Sequence, residues 1–167
     1  MKDVKQLRQK GFTIIEVLIV LMIAGLIMVI VFLAVPALRR NARNTQYNTE
    51  ARSILTAYSE ISSNKGGSVL TTGNSGVDGD AKKVKEAANS KVIETVYISP
   101  FSTTNIGADS ASGSSATNVD LTNAVLMTGA KCSAQDSGTA TKGTSRQVAV
   151  FFAIETSSDI EVQCLDS

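Results

Sequence analysis

Positions 17–38 of this 167-residue chain form a run of 22 uncharged and mostly aliphatic residues. As an α-helix rising ~1.5 Å per residue, the run covers the ~30 Å hydrocarbon core of a bilayer. A secretory signal has an apolar region of only about 7–15 residues, followed by a small-x-small cleavage site. This run is longer, and no such site precedes the polar chain. The apolar helix is therefore expected to stay attached to the mature protein. What remains has room for about one globular domain.

Charge divides the chain into zones. Lys and Arg number 16 against 15 Asp and Glu, so the total is nearly neutral and gives no electrostatic footprint for nucleic acid. Residues 1–11 carry Lys2, Lys5, Arg8 and Lys10 against Asp3 and have no apolar face, which reads as a leader peptide. Glu16 is then the single charge before Arg39. A carboxylate inside an apolar span costs a few kcal/mol and usually has a partner and a function. The plainer alternative is that Glu16 snorkels to headgroups near the helix end. Gly11 stands where the charged segment meets the apolar one, and a glycine there lets the backbone open to a protease.

The stretch KGFTIIEVLIVLMIAGLIMVIVFLAVPALRRN resembles the amino-terminal signature of type IV pilins and pseudopilins, over roughly the first quarter of the chain. The resemblance implies that a prepilin peptidase cuts after Gly11 and that Phe12 becomes an N-methylated amino terminus. It also implies that Glu16 is the glutamate of the motif. Glu16 lies one helical turn from Phe12, so Glu16 of one subunit would meet the Phe12 amine of the next and neutralise it in an apolar filament core. Implied partners are further copies of the chain in a helical homopolymer, the peptidase, an assembly platform with minor pilins, and the membrane before assembly.

Gly25 and Pro36 interrupt the helix-forming run. They read either as a hinge, with a kink or local melting between them, or as ordinary transmembrane residues whose neighbours re-satisfy the backbone. The family's glycine matches Gly25, whereas its usual proline falls one turn earlier, where this chain has Leu33. Flanking charge does not orient the span: the leader sums to +3, and Arg39, Arg40 and Arg43 put +3 past the other end. Two cysteines in a Ser/Thr/Gly-rich domain suit an oxidising space. The resemblance likewise places the carboxy-terminal side outside the cytoplasm, as a single-pass membrane protein before assembly and a cell-surface pilus after it.

Four segments follow: a leader over 1–11, a membrane or filament-core helix over 12–38, an amphipathic helical half over 39–63, and a globular head over 64–167. Ala51, Ile54, Leu55, Tyr58 and Ile61 recur at spacings of three and four, with Glu50, Arg52, Ser59 and Glu60 around the rest of the helix. An unbroken helix from 12 to about 63 would be roughly 80 Å long. Asn64, Lys65, Gly66 and Gly67 supply its stop. Residues 81–92 predict a short helix capped by Asp80. Strands are expected at 95–98, closed by Ser99 and Pro100, at 121–127, at 147–154 and at 160–164, the last two joined as a hairpin. No structure is assigned to 102–118. The fold class is α+β: a long amino-terminal helix packed on a small antiparallel sheet of three or four strands.

Cys132 and Cys164 enclose 31 residues. A disulfide there would pin the final hairpin to the preceding strand, contributing ~3 kcal/mol or more by loop closure. Many type IV pilins carry such a carboxy-terminal disulfide loop. The alternative is two reduced, buried thiols. With no histidine in the chain there is no Ser-His-Asp or Cys-His pair and no His-based metal site, so an enzyme is not expected. Asp78-Gly79-Asp80 reads as turn chemistry before calcium, and neither metal nor cofactor is expected.

The leading expectation is a structural pilin subunit of a type IV pilus, serving adhesion, motility or DNA uptake. The alternatives are a pseudopilin of a type II secretion or competence machine, and a signal-anchored binding protein that never polymerises.

Overall fold

The computed structural model describes residues 11–70, 73–74, 79–101, 107–108, 118–133 and 138–167. The chain forms two compact units, Met1–Arg39 and Arg40–Ser167. One helix, α1 (Ile14–Asn64), contributes residues to both.

Among the described residues of the first unit, the apolar side chains from Phe12 to Leu38 are exposed except half-buried Val35. Phe12 is 83% exposed, Leu26 66% and Leu33 77%. α1 is long and apolar enough to cross a membrane. The helical backbone runs through both Gly25 and Pro36.

The second unit holds the rest of α1 together with β1 (Gly73–Asn74), α2 (Asp80–Ala88), β2 (Thr95–Pro100), β3 (Gly107–Ala108), β4 (Asn118–Val119), β5 (Asn123–Thr128), β6 (Ala130–Cys132), β7 (Ala140–Lys142), β8 (Val148–Glu155) and β9 (Ile160–Asp166). α1 buries Tyr47, Ala51, Ile54, Ala57 and Tyr58, one stripe at helical spacing, while Leu55 and Ile61 pack at its rim. Gly66 and Gly67 adopt φ of +74° and +77°. That left-handed region suits glycine, and it lets the Gly67 N–H reach back to the Ser62 carbonyl at 2.8 Å and close the helix.

Five strands form one sheet in the order β1-β2-β5-β8-β9. α1 and α2 cover the face bearing Val96, Ile98, Leu126, Val150 and Phe152. Val125, Met127, Phe151, Val162 and Cys164 line a second apolar cluster, closed by Val119 and Ala130. With both faces covered, β5 is buried at all six positions and shows no polar alternation.

The architecture is α+β, a long amino-terminal helix with a small sheet of five strands instead of the expected three or four, and three further local expectations need correction. The sheet is mixed, because β2 and β5 pair in parallel from Thr95↔Asn123 to Pro100↔Thr128. A parallel pair needs a crossover of a dozen or more residues, and the chain between Pro100 and Asn123 carries no pattern that announces one. β2 also runs through Ser99 and Pro100 instead of stopping before them. The next N–H, of Phe101, donates to the Thr128 carbonyl at 2.8 Å, so the direction in which Pro100 lacks a donor faces away from β5. Among the described residues β1 pairs only with Tyr97 and Ile98, so no described partner of β1 meets the missing N–H. Finally, Asp80 does not cap α2. It is the first helical residue, Gly79 is the cap, and the Asp80 carboxylate is buried at 2.5 Å from Lys65 Nζ.

The β8–β9 hairpin turns through Thr156 and Asp159, with the Thr156 N–H donating to the Asp159 carbonyl at 2.8 Å. The expected hairpin is present.

Candidate processing and assembly site

Helix α1 starts at Ile14, and Gly11, Phe12 and Thr13 precede it in non-helical backbone. Thr13 forms the cap: its carbonyl accepts the N–H groups of Glu16 at 3.2 Å and Val17 at 3.4 Å, and its Oγ1 accepts from Glu16 N–H at 3.4 Å. Thr13-x-x-Glu16 has the spacing of a capping box, and a carboxylate in the first turn opposes the positive end of the helix dipole. Thr13 escaped the sequence reading, although its hydroxyl three residues before a glutamate at the start of an apolar run is the signal that finds it.

Among the described residues nothing crowds Gly11. A Cβ built there meets nothing within 4 Å, and its φ lies outside the left-handed region. Phe12 and Glu16 line the same shallow groove of about 180 Å³, with Val17, Val20 and Leu21. Among the described residues Glu16 has no ion-pair partner. The junction therefore joins a non-helical backbone at Gly11 and Phe12, an exposed aromatic residue, and a carboxylate with no ion-pair partner among the described residues. The rest of the expected leader, residues 1–10, lies outside the described residues.

Residues 6–32 carry a prokaryotic N-terminal methylation motif. This is the class III signal motif of type IV pilins and pseudopilins, and it supports a precursor of that kind. The methylation motif covers the second half of the expected leader, the junction and the first part of the apolar helix, and leaves the sheet unit outside the match. No curated protein and no solved structure matches the chain. The motif implies processing by prepilin peptidase and assembly into a pilus-type filament, and with the exposed apolar helix it fits a membrane-anchored precursor.

Cys132 and Cys164 are joined, with their Cα atoms 5.8 Å apart, tying β6 to β9. Asp166 reinforces this corner by accepting the Cys132 N–H at 2.9 Å. Of the acidic triplet, Asp78 lies outside the described residues and Asp80 is engaged by Lys65.

Two of the arginines past the apolar run are engaged within the second unit. Arg40 donates to the Thr156 carbonyl at 3.2 Å, and Arg43 pairs with Glu155. Asn44 exchanges two hydrogen bonds with the Glu155 backbone, at 2.7 and 2.9 Å. Farther along α1, the Glu50 carboxylate accepts the N–H groups of Val92 and Ile93, at 2.9 and 3.0 Å, and the Ser90 hydroxyl at 2.7 Å. Burial pushes the Glu50 pKa up, and the hydrogen bonds from Ile93, Ser90 and Val92 together outweigh it and hold the carboxyl below its ordinary range. Each of these contacts joins residues 40 or more positions apart, so no local pattern announces them.

Proposed function

We infer that this chain is the precursor of a type IV pilus subunit, cleaved after Gly11, N-methylated at Phe12, and drawn from the membrane into a helical filament through α1. The observation that carries the reading is the methylation motif at residues 6–32, set on a helix whose apolar side chains are exposed. Hydrolysis of the Gly11–Phe12 bond leaves a carboxylate on the leader and an ammonium on Phe12. A positive charge just ahead of the cap at Thr13 opposes the helix dipole. Glu16 offsets it, and in an apolar filament the pairing of a neighbour's Phe12 amine with Glu16 neutralises two charges that are costly to bury apart.

Mass spectrometry of the protein from its native membrane tests the processing step: the expected species begins at methylated Phe12, and an intact leader would mark a non-polymerising anchor instead. Replacing Gly11 should accumulate precursor. Glu16→Ala should leave insertion and cleavage intact and lower filament incorporation; unchanged piliation would sink the pairing. Long surface filaments are expected, and short filaments that never reach the surface would place the chain among pseudopilins.

A further inference from the structure

The carboxy-terminal end of α1 forms one wall of a groove. Gly66 and Gly67 turn the chain back at positive φ, and Ser62 Oγ donates to the Ser68 carbonyl at 2.9 Å, holding the returning segment against the last turn of the helix. The other wall is the connection between β7 and β8. There the Gln147 N–H donates to the Thr144 carbonyl at 3.0 Å, and Gln147 Oε1 accepts the Thr144 N–H at 2.7 Å. These bonds close a tight turn with Ser145 and Arg146 as its central residues. A Cβ on Gly143 would come within 3.0 Å of the Ala130 backbone, so a glycine is what lets the turn sit this close.

The groove between the walls has a volume of about 400 Å³ and reaches down to buried Tyr58, a size suited to a small ligand. Its hydrogen-bonding groups are unevenly committed. Ser59 Oγ donates to the Leu55 carbonyl at 3.0 Å and Ser62 Oγ to that of Ser68, so both have only lone pairs left for an occupant. Among the described residues the Arg146 guanidinium has no ion pair, and the hydroxyls of Ser63 and Ser145 make no hydrogen bond. Val69 adds an apolar surface: at 50% exposure it is the one large apolar side chain exposed among the described residues of the second unit.

An occupant that suits all of these groups brings an anion for Arg146, O–H donors for Ser59 and Ser62, and a C–H face for Val69. Inorganic phosphate brings the charge and no apolar face. A fatty carboxylate brings charge and apolar surface without O–H donors, and a neutral sugar lacks the charge. A hexuronate carries all three.

We propose that this groove binds a uronate residue, free or within an acidic polysaccharide, with its carboxylate on Arg146, ring hydroxyls donating to Ser59 and Ser62, and its C–H face on Val69. The planar guanidinium fork matches a carboxylate in two parallel hydrogen bonds. The tight turn carrying Arg146 reduces the ordering needed on binding. The site does not depend on whether the chain polymerises.

The test is isothermal titration of the full chain in detergent with galacturonate, galactose, inorganic phosphate and trigalacturonate. Galacturonate should bind about tenfold or more tightly than galactose or phosphate. Arg146→Gln should weaken galacturonate about tenfold or more, and Ser59→Ala about threefold, with the circular dichroism melt unchanged in both. Tighter binding of the trimer than of galacturonate supports the site and places the residue within a polymer; equal or weaker trimer binding supports the site and marks a free sugar acid. Galactose or phosphate binding as well as galacturonate, a folded Arg146→Gln variant with wild-type affinity, or no binding of either uronate would overturn the proposal.

Discussion

Residues 12–38 and the sheet unit are both rich in large aliphatic side chains, and the chain treats them oppositely. Along the apolar part of α1, exposure holds at nearly every position, with Leu26 at 66%. In β8 the consecutive Phe151 and Phe152 are both fully buried, one in each apolar cluster. The sheet unit satisfies its hydrophobic residues within one chain. The apolar helix cannot, and its apolar surface requires lipid or other copies. One region encloses its apolar side chains and the other leaves them exposed.

Truncating a core side chain should break the comparison most sharply. Phe152→Ala is expected to cost the sheet unit about 3–5 kcal/mol, whereas Leu26→Ala should leave its stability unchanged. Near-UV circular dichroism melts of detergent-solubilised protein would check both. Removing the disulfide by Cys132→Ala with Cys164→Ala should lower the same melt by ~3–4 kcal/mol, a loss that reductant alone should reproduce. For the apolar region the revealing change is a charge. Leu26→Arg should disfavour membrane insertion by ~2.5–3.5 kcal/mol, read as a falling fraction of membrane-integrated protein, with the β6–β9 disulfide still forming in the inserted fraction.

The smallest effect concerns acid. The Glu50 carboxyl titrates below its ordinary value of 4.5 in the folded chain. Its contribution is present above about that pH and is lost as pH falls through the lowered folded value. Glu50→Gln should cost about 1–2 kcal/mol at neutral pH and flatten the acid limb of a stability–pH curve. An acid limb unchanged by the substitution would show that other carboxylates govern it.

The two regions also differ in how far the sequence discloses them. The apolar span and the methylation motif at residues 6–32 were legible because each is a contrast between neighbours in the chain. So were the packed stripe of α1 and the β8–β9 hairpin, whose periodicities are local. The parallel pairing of β2 with β5, the extension of β2 through Pro100 and the reassignment of Asp80 from cap to buried ion pair all depend on what folds against them. The grip of Arg40, Arg43 and Asn44 on the β8–β9 turn spans more than 110 positions, and no composition or spacing signals it. Long-range polar contacts are chosen by the fold, and only afterwards do they explain why those residues are there.

Under mechanical load, the bond between β6 and β9 changes what an individual subunit can yield. A filament pulled from its ends transmits tension through polypeptide, and a covalent ring carries none of it around its circumference. The 32-residue separation between Cys132 and Cys164, at ~3.4 Å per residue, withholds about 100 Å of contour length from any forced extension. A stretched subunit should therefore lengthen in a single-molecule trace by that much less than its residue count allows, and recover the missing length only in reductant.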